Sequence, residues 1–298
     1  MHAIIKIVIR SFENYMQERI SIMKIILDSA SNVRTLPYED YKIVPLMICT
    51  DEKEYKDDEN LDVLGMVSDL EKTKSKSHSA CPSVTDFLNA IGDSDETIII
   101  NLASVLSGCH NAAHIACQQY MEDHPGSKAY ALDTRKIGPV QHLIALKAIE
   151  LSKEGKSTEE IFNEISEYSA KHLGIGFCLG SLKNLANNGR INPAVAKIAD
   201  VINLRTTGIF DADGKLAPTD KCRGEKKNIE ALVKNMKNDG YHGGKVIIDH
   251  CDGLNFAESV KARILTDWPD ADVTIGVTTG LCSFYAERTG IVMGYETN

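Results

Sequence analysis

This chain has no long apolar run. A membrane-spanning helix needs about 20 consecutive apolar residues, and nothing here approaches that, so no integral membrane segment is expected. A secretion signal is not expected either. Ala3-Ile-Ile-Lys6-Ile-Val-Ile9 is broken by Lys6 and followed by Arg10 and Glu13, whereas a signal peptide needs a longer apolar region and a small-residue cleavage site. Positive charge is in deficit: 33 Lys and Arg face 42 Asp and Glu, for a net charge of −9. That balance argues against nucleic acid, or an anionic membrane, as a bulk partner. The eight cysteines contain no CxxC pair, so neither a zinc site nor a disulfide framework is expected, and a reduced, cytoplasmic compartment fits. There is no internal repeat and no low-complexity segment.

What remains is an ordinary folding composition, 43% hydrophobic and 25% charged over 298 residues, with room for two domains. The organising stretch is Asn101-Leu-Ala-Ser104-Val-Leu-Ser107-Gly108-Cys-His-Asn-Ala-Ala113. An apolar run, Thr97 to Leu102, reads as a buried strand before it. Apolar positions at Ala112, Ala113, Ile115, Ala116 and Tyr120 give helical spacing after it. Two serines and a glycine therefore sit at a strand-to-helix turn, where unpartnered N–H groups and the helix dipole favour an anion. The loop has no lysine, unlike GxxxxGK[ST] nucleotide loops, so a carboxylate suits it better than a triphosphate. The bland alternative is that Ser107 caps the helix.

Taken in order, Lys24 to Asp28 reads as a first strand ending in the polar turn Asp28-Ser-Ala-Ser-Asn32, where open α/β sheets place ligand sites. Ile43 to Ile48 reads as one strand, an edge strand because of Pro45. Tyr55 to Asn60 reads as a solvated acidic loop, Leu61 to Lys72 as an amphipathic helix, and Ser79 as an exposed loop serine. Ser83 with Asp86 forms a capping-box signal. A strand from Ala129 to Thr134 and a helix from about Gly138 to Lys153 follow. The polar run Ser152 to Ser157 reads as a connection between domains. Beyond it come a helix from Thr158 to His172, a strand from Leu173 to Cys178 and helices over Ser181–Asn187 and Ala194–Ile202. The Asp213-Gly214 hairpin, a helix from Glu225 to Asn238, a strand from Lys245, a helix from Phe256 to Leu265 and a strand from Asp272 to Val277 complete the series. Alternating strands and helices imply an α/β fold with a mainly parallel sheet in the first half.

These motifs together resemble the DegV family of fatty-acid-binding proteins. Asp28-Ser29-Ala30-Ser31 is similar to its D-S-[ST]-[ST] opening. Ser79-Ala-Cys-Pro-Ser83 stands where the family has T-S-Q-P-S, and Ala103-Ser104-Val-Leu-Ser107-Gly-Cys109 where it has S-S-x-L-S-G-T. Asp133-Thr134, Asn188-Gly189-Arg190, the hairpin with Lys221-Cys-Arg223-Gly224, and His250-Cys-Asp252 follow in register, covering Met23 to Glu296. Each motif alone is weak, but seven in order are specific. The resemblance implies a two-domain fold: an extension over 1–22, an N-terminal α/β domain over 23–157 with a mainly parallel sheet, and a C-terminal α/β domain over 158–298 covering an acyl chain. It implies a bound long-chain fatty acid such as palmitate or oleate, no other cofactor, and no catalysis of the protein's own. The carboxylate would be held by Ser79, by Ser104 or Ser107, and by the backbone at Gly108. The sequence does not choose between the two serines.

The chain also departs from the family pattern. Ala80-Cys81 replaces Ser-Gln, Ala103 a serine, and Cys109 a threonine. At Val277-Thr278-Thr279-Gly280-Leu281-Cys282 the family commonly has T-H-T-G-P-G, so Thr278 occupies a histidine position. In members that serve a fatty acid kinase, that histidine is tied to acyl-phosphate formation, and threonine cannot supply an imidazole. Lipid binding is thus the better-supported implication, ahead of a kinase partnership. An enzyme built on Asp249-His250-Cys251-Asp252 or Cys109-His110 is one alternative, although neighbours on a strand face opposite ways. A small-anion sensor using the same loops, with Arg190 and Arg223 as cations, is another. The bland reading of both arginines is a surface or partner-docking role.

Overall fold

The computed structural model describes residues 23–73, 76–192, 194 and 204–297. The expected extension over 1–22 and most of the expected helix Ala194–Ile202 lie outside the described residues. The first sheet is fully parallel, in the order β2 (Tyr41–Val44), β1 (Lys24–Asp28), β6 (Glu96–Asn101), β7 (Lys128–Asp133). Its central strands are apolar on both faces because both faces are covered. Ile25 and Leu27 of β1 enter one core cluster while Ile26 enters another, and Ile98 and Ile100 alternate with Ile99 in the same way.

Two expectations fail nearby. The run Ile43–Ile48 is two strands in two sheets, because Pro45 has no N–H to continue the ladder. β2 is the edge of the first sheet. β3 (Met47–Thr50) pairs with β4 (Glu54–Lys56) and β5 (Ser77–Ala80) in a small antiparallel sheet. The acidic segment Tyr55–Asn60 is not a solvated loop either. Tyr55 is buried, and Asp57 is fully buried among N–H donors.

The helices α1 (Val63–Lys72), α2 (Val84–Ile91), α3 (Cys109–Asp123), α4 (Pro139–Lys153) and α5 (Thr158–Lys171) follow the hydrophobic periodicity. The Ser83–Asp86 capping box forms as expected, and Ser157 with Glu160 makes a second. The second sheet has the order β10 (Leu216–Arg223), β9 (Leu204–Phe210), β8 (Leu173–Leu179), β13 (Ile291–Glu296), β11 (Lys245–His250), β12 (Asp272–Val277). Only β11 and β12 run parallel; the other pairings are antiparallel. The short helix α6 (Lys183–Asn187) follows β8. Helices α7 (Glu225–Asn238) and α8 (Leu254–Asp267) cover one face of this sheet, and α9 (Gly280–Ala286) leads into β13. Gly174 in β8 is required by packing, since a side chain there would begin 2.1 Å from the Tyr295 ring.

One core cluster takes in both sheets: Ile25 and Ile98 share it with Ile175, Phe177, Phe284 and Val292, and the α4 side chains Val140, Leu143 and Ile144 lie between them. That arrangement leaves the C-terminal ends of β1 and β6 facing α9 and β8.

Candidate functional site

At this junction lies a cavity with about 650 Å³ of atom-free space, part of it open to solvent. The first half of the chain supplies Ala30, Leu46, Leu102, Leu106 and Ile137 to its wall. The second half supplies Phe177, Leu179, Phe210, Leu216, Leu281, Ala286 and Val292. The polar contributions are few: the hydroxyls of Ser79, Ser107 and Tyr285, the Cys282 thiol and the Arg190 guanidinium.

Two of those groups are bonded to each other, and Arg190 is tied to the residue before Ser107. Ser79 Oγ and Tyr285 Oη share a hydrogen bond at 2.8 Å. Burial raises the Tyr285 phenol above its ordinary value, and the Arg190 charge opposes that shift. Arg190 Nε donates to the carbonyl of Leu106 at 3.1 Å and Nη1 to that of Asn188 at 2.5 Å. Leu106 immediately precedes Ser107. The hydroxyls and the cation therefore gather in one place, against an otherwise apolar wall.

Each element reaches this place for a local reason. Ser79 is on strand β5, not on an exposed loop. β5 pairs with β3, opposite Ile48, so alternate side chains must face the interior. The loop from Leu102 to Gly108 is fixed by Asp28, which ends β1 and is fully buried. Its two oxygens accept from Leu102 N at 2.8 Å, Asn101 Nδ2 at 3.2 Å, Gln141 Nε2 at 3.0 Å and Ala30 N at 3.2 Å. Burial lifts this carboxyl to about 6, and the four donors pull the other way. Gly108 is the N-cap of α3 and makes no side-chain cap; instead Ser107 Oγ accepts from Cys109 N at 3.3 Å and donates to Cys109 Sγ at 3.2 Å.

Helix α9 forms the far wall through Leu281, Cys282, Tyr285 and Ala286. Asp57 fastens its start, accepting from Gly280 N at 2.7 Å and Leu281 N at 2.9 Å while pairing with Arg34 at 3.1 Å. Thr279 Oγ1 donates to the Ser29 carbonyl at 2.6 Å. Asn32 sits in the left-handed region at φ 60°, accepts from Thr279 N and donates to Asp249 Oδ2 at 2.8 Å. Burial raises Asp249 to about 7 with Asn32 as its counteracting donor. Neither Tyr285 nor Asp57 was singled out from the sequence, and α9 was not expected as a helix. Their significance lies in partners more than 200 residues away in the chain.

The remaining expected site residues separate. Ser104 is exposed and lies outside the cavity wall, with its hydroxyl donated to Asp133 at 2.5 Å and its N–H to the same carboxylate. Arg223 is exposed at the end of β10, away from the cavity. Thr278 is buried behind α9; its hydroxyl bonds Ser283 Oγ at 2.6 Å and the His250 carbonyl at 3.3 Å. Asp249 and Asp252 turn to different partners, Asn32 and Arg288, while His250 Nδ1 accepts from Gly253 N. Burial holds the Cys109 thiol far above the ordinary thiol range. Among the described residues no group of three or more His, Cys, Asp or Glu could hold a metal, and no helix is long and apolar enough to cross a membrane.

The fold and cavity define a class: an α/β protein with two main sheets and a small third one, enclosing an apolar space with a few polar groups gathered at one point. The chain belongs to the DegV family, whose profile, described as an uncharacterised protein family, spans residues 22–295. A DegV domain-containing protein of Streptococcus pyogenes is 34% identical over 277 residues, covering 92% of this chain and 99% of its own. A DegV family protein from Eubacterium eligens, solved loaded with heptadecanoic acid, superposes at TM-score 0.90 with 36% identity over 93% of this chain and 100% of that one. The Streptococcus pneumoniae Fatty Acid Kinase (Fak) B3 protein, solved with linoleic acid, gives TM-score 0.90 and 33% identity over 93% and 99%.

Proposed function

We propose that this protein binds one long-chain fatty acid, with the acyl chain in the apolar cavity and the carboxylate at Ser79 and Ser107. The observation that carries this is the composition of the wall, in which hydroxyls and one guanidinium are gathered at one place on an otherwise apolar surface. Burying an acyl chain contributes ~0.8 kcal/mol per methylene, on the order of 10 kcal/mol for a long chain. The carboxylate must keep hydrogen bonds, because an unpaired buried anion is prohibitive. Ser107 serves in preference to Ser104, whose hydroxyl is held by Asp133. The backbone of Gly108 at the start of α3 adds the favourable end of a helix dipole. Arg190 compensates the charge from the same wall; Arg223 is too far round to do so. The two units, 23–157 and 158–298, each contribute one side of the enclosure.

In this reading the protein is a carrier without catalysis of its own. The thiol of Cys109 is buried and disfavoured as a thiolate, and the Asp249–Asp252 side chains go to separate partners. Delivery to a fatty acid kinase subunit is the second reading, favoured by the similarity to the Fak B3 protein. Thr278, buried and bonded to Ser283, offers no imidazole to such a partner. The test of the main reading is calorimetric titration of delipidated protein with palmitate and oleate. Saturable binding of one molecule per chain, weakened in Ser79→Ala/Ser107→Ala without unfolding, is expected. No uptake of either acid refutes it.

A further inference from the structure

The two segments that present hydroxyls to the cavity share a feature their family pattern lacks. Each carries a cysteine two residues after its serine, in Ser79-Ala-Cys81 and Ser107-Gly-Cys109. Cys81 lies against the start of α3, where Cys109 is the first residue. Cys81 is exposed, and its Sγ lies 3.2 Å from the point where a side chain on Gly108 would begin. Gly108 immediately precedes Cys109, the first residue of α3, so one peptide unit separates the Cys81 sulfur from the second cysteine. Both thiols are free, and Cys109 is fully buried, with its Sγ accepting from Ser107 Oγ at 3.2 Å.

We propose that Cys81 and Cys109 form a reversible disulfide when the protein meets a two-electron oxidant, a peroxide or a small-molecule disulfide, and that this bond loosens the hold of Ser107 on the bound carboxylate. The exposed sulfur reacts first. With a peroxide, the Cys81 thiolate attacks one oxygen, the O–O bond breaks, and Cys81 becomes a sulfenic acid as the other oxygen leaves with a proton. The Cys109 sulfur then displaces the sulfenic oxygen, which departs as water with the Cys109 proton. Two thiols lose two electrons and the peroxide gains them. With a small-molecule disulfide, Cys81 forms a mixed disulfide and Cys109 displaces the small thiol.

The second step requires Cys109 to turn out of its buried site toward Cys81, because a disulfide needs Cα atoms within ~4.4–6.8 Å and sulfurs in contact. Burial raises the Cys109 thiol well above its ordinary range, which keeps it inert until the first turn of α3 moves. That movement takes away the sulfur to which Ser107 is bonded and the N–H that Ser107 accepts. Cys49 is half-buried on β3 opposite His78, and Cys282 is fully buried with its thiol donated to the Ala30 carbonyl.

The experiment is peptide mapping by mass spectrometry of the reduced full chain after hydrogen peroxide and, separately, oxidised glutathione, with free thiols alkylated first. The expected product is a Cys81–Cys109 cross-linked peptide, reversed by dithiothreitol, and absent from both Cys81→Ser and Cys109→Ala. Cys81→Ser changes only an exposed side chain, so it serves even if Cys109→Ala does not fold. Palmitate loaded beforehand should leave the cross-linked protein about tenfold faster than the reduced protein, as expected for one lost hydrogen bond to a charged group. A Cys81 adduct or sulfinic acid with Cys109 still a thiol, or a Cys81–Cys49 link, overturns the pairing. A cross-linked protein with unchanged palmitate release overturns the coupling to the site. The coupling rests on the fatty-acid reading, and a reduced protein that takes up no palmitate refutes that reading, whereas the peptide map tests the disulfide by itself.

Discussion

Replacing Ser79 by alanine removes one hydroxyl from the cavity wall and little else. β5 keeps its backbone pairing with β3, so the strand survives. In the empty protein the Tyr285 hydroxyl loses its 2.8 Å partner. A neutral hydrogen bond contributes about 1 kcal/mol net, and the melting temperature should fall by roughly 2–4 °C. In the loaded protein the lost bond is to a carboxylate, which contributes about 1.5–3 kcal/mol, so palmitate affinity should drop roughly 10- to 150-fold. Palmitate methyl ester carries no charge and depends on the acyl chain, so its affinity should change by less than about 5-fold. Isothermal titration of both ligands into delipidated parent and variant measures the difference. Equal losses for acid and ester, or no loss for the acid, would refute the placement of the carboxylate at Ser79.

Other substitutions probe the same arrangement from different sides. Val292→Phe adds a ring to the acyl wall and should weaken C18 acids at least about 10-fold while sparing C10 acids, read by competition with a fluorescent fatty acid. Gly208→Ala places a methyl 2.3 Å from Phe177 Cζ and 2.6 Å from the Ala217 carbonyl oxygen; we expect a loss of roughly 1–3 kcal/mol in denaturant unfolding. Asp249 titrates near 7 when folded, against an ordinary 3.8, so the native state holds an extra proton between those values. Stability should fall as pH rises through that window and level off above it. Asp249→Asn should flatten the melting curve above about pH 6, where Asp28, another raised carboxyl, has ceased to contribute, and should gain most over the parent near pH 8. An unchanged slope would place the proton elsewhere.

The first sheet was legible because β1 and β6 are buried on both faces, and Ile25-Ile-Leu27 and Ile98-Ile-Ile100 say so without help from the rest of the chain. The capping box at Ser83 and the Asp213-Gly214 hairpin were legible because their chemistry is local. Ile43 to Ile48 misled because its hydrophobicity is continuous while its hydrogen bonds are not: Pro45 hands the chain from one sheet to another. Asp57 misled because an acidic run usually marks solvent, and its role depends on α9, 223 residues away. Strand β13 went unseen although it forms the centre of the second sheet; Ile291-Val-Met293 is an apolar run like those of β1 and β6, but its pairing with β8 and β11 is long-range. Of the residues proposed to hold the carboxylate, the hydroxyl types could be chosen from the turn chemistry at Ser104 and Ser107. Choosing between them needed Asp133, which holds one and not the other.

The central claim is that the cavity between the two sheets holds a fatty acid in the cell. Protein purified without detergent or added lipid, then denatured, extracted with organic solvent and analysed by mass spectrometry, tests it directly. The account predicts a near-stoichiometric long-chain fatty acid in the extract, lost when Ser79→Ala/Ser107→Ala is purified in the same way. An extract free of acyl species, from protein that also takes up no added palmitate, would contradict it.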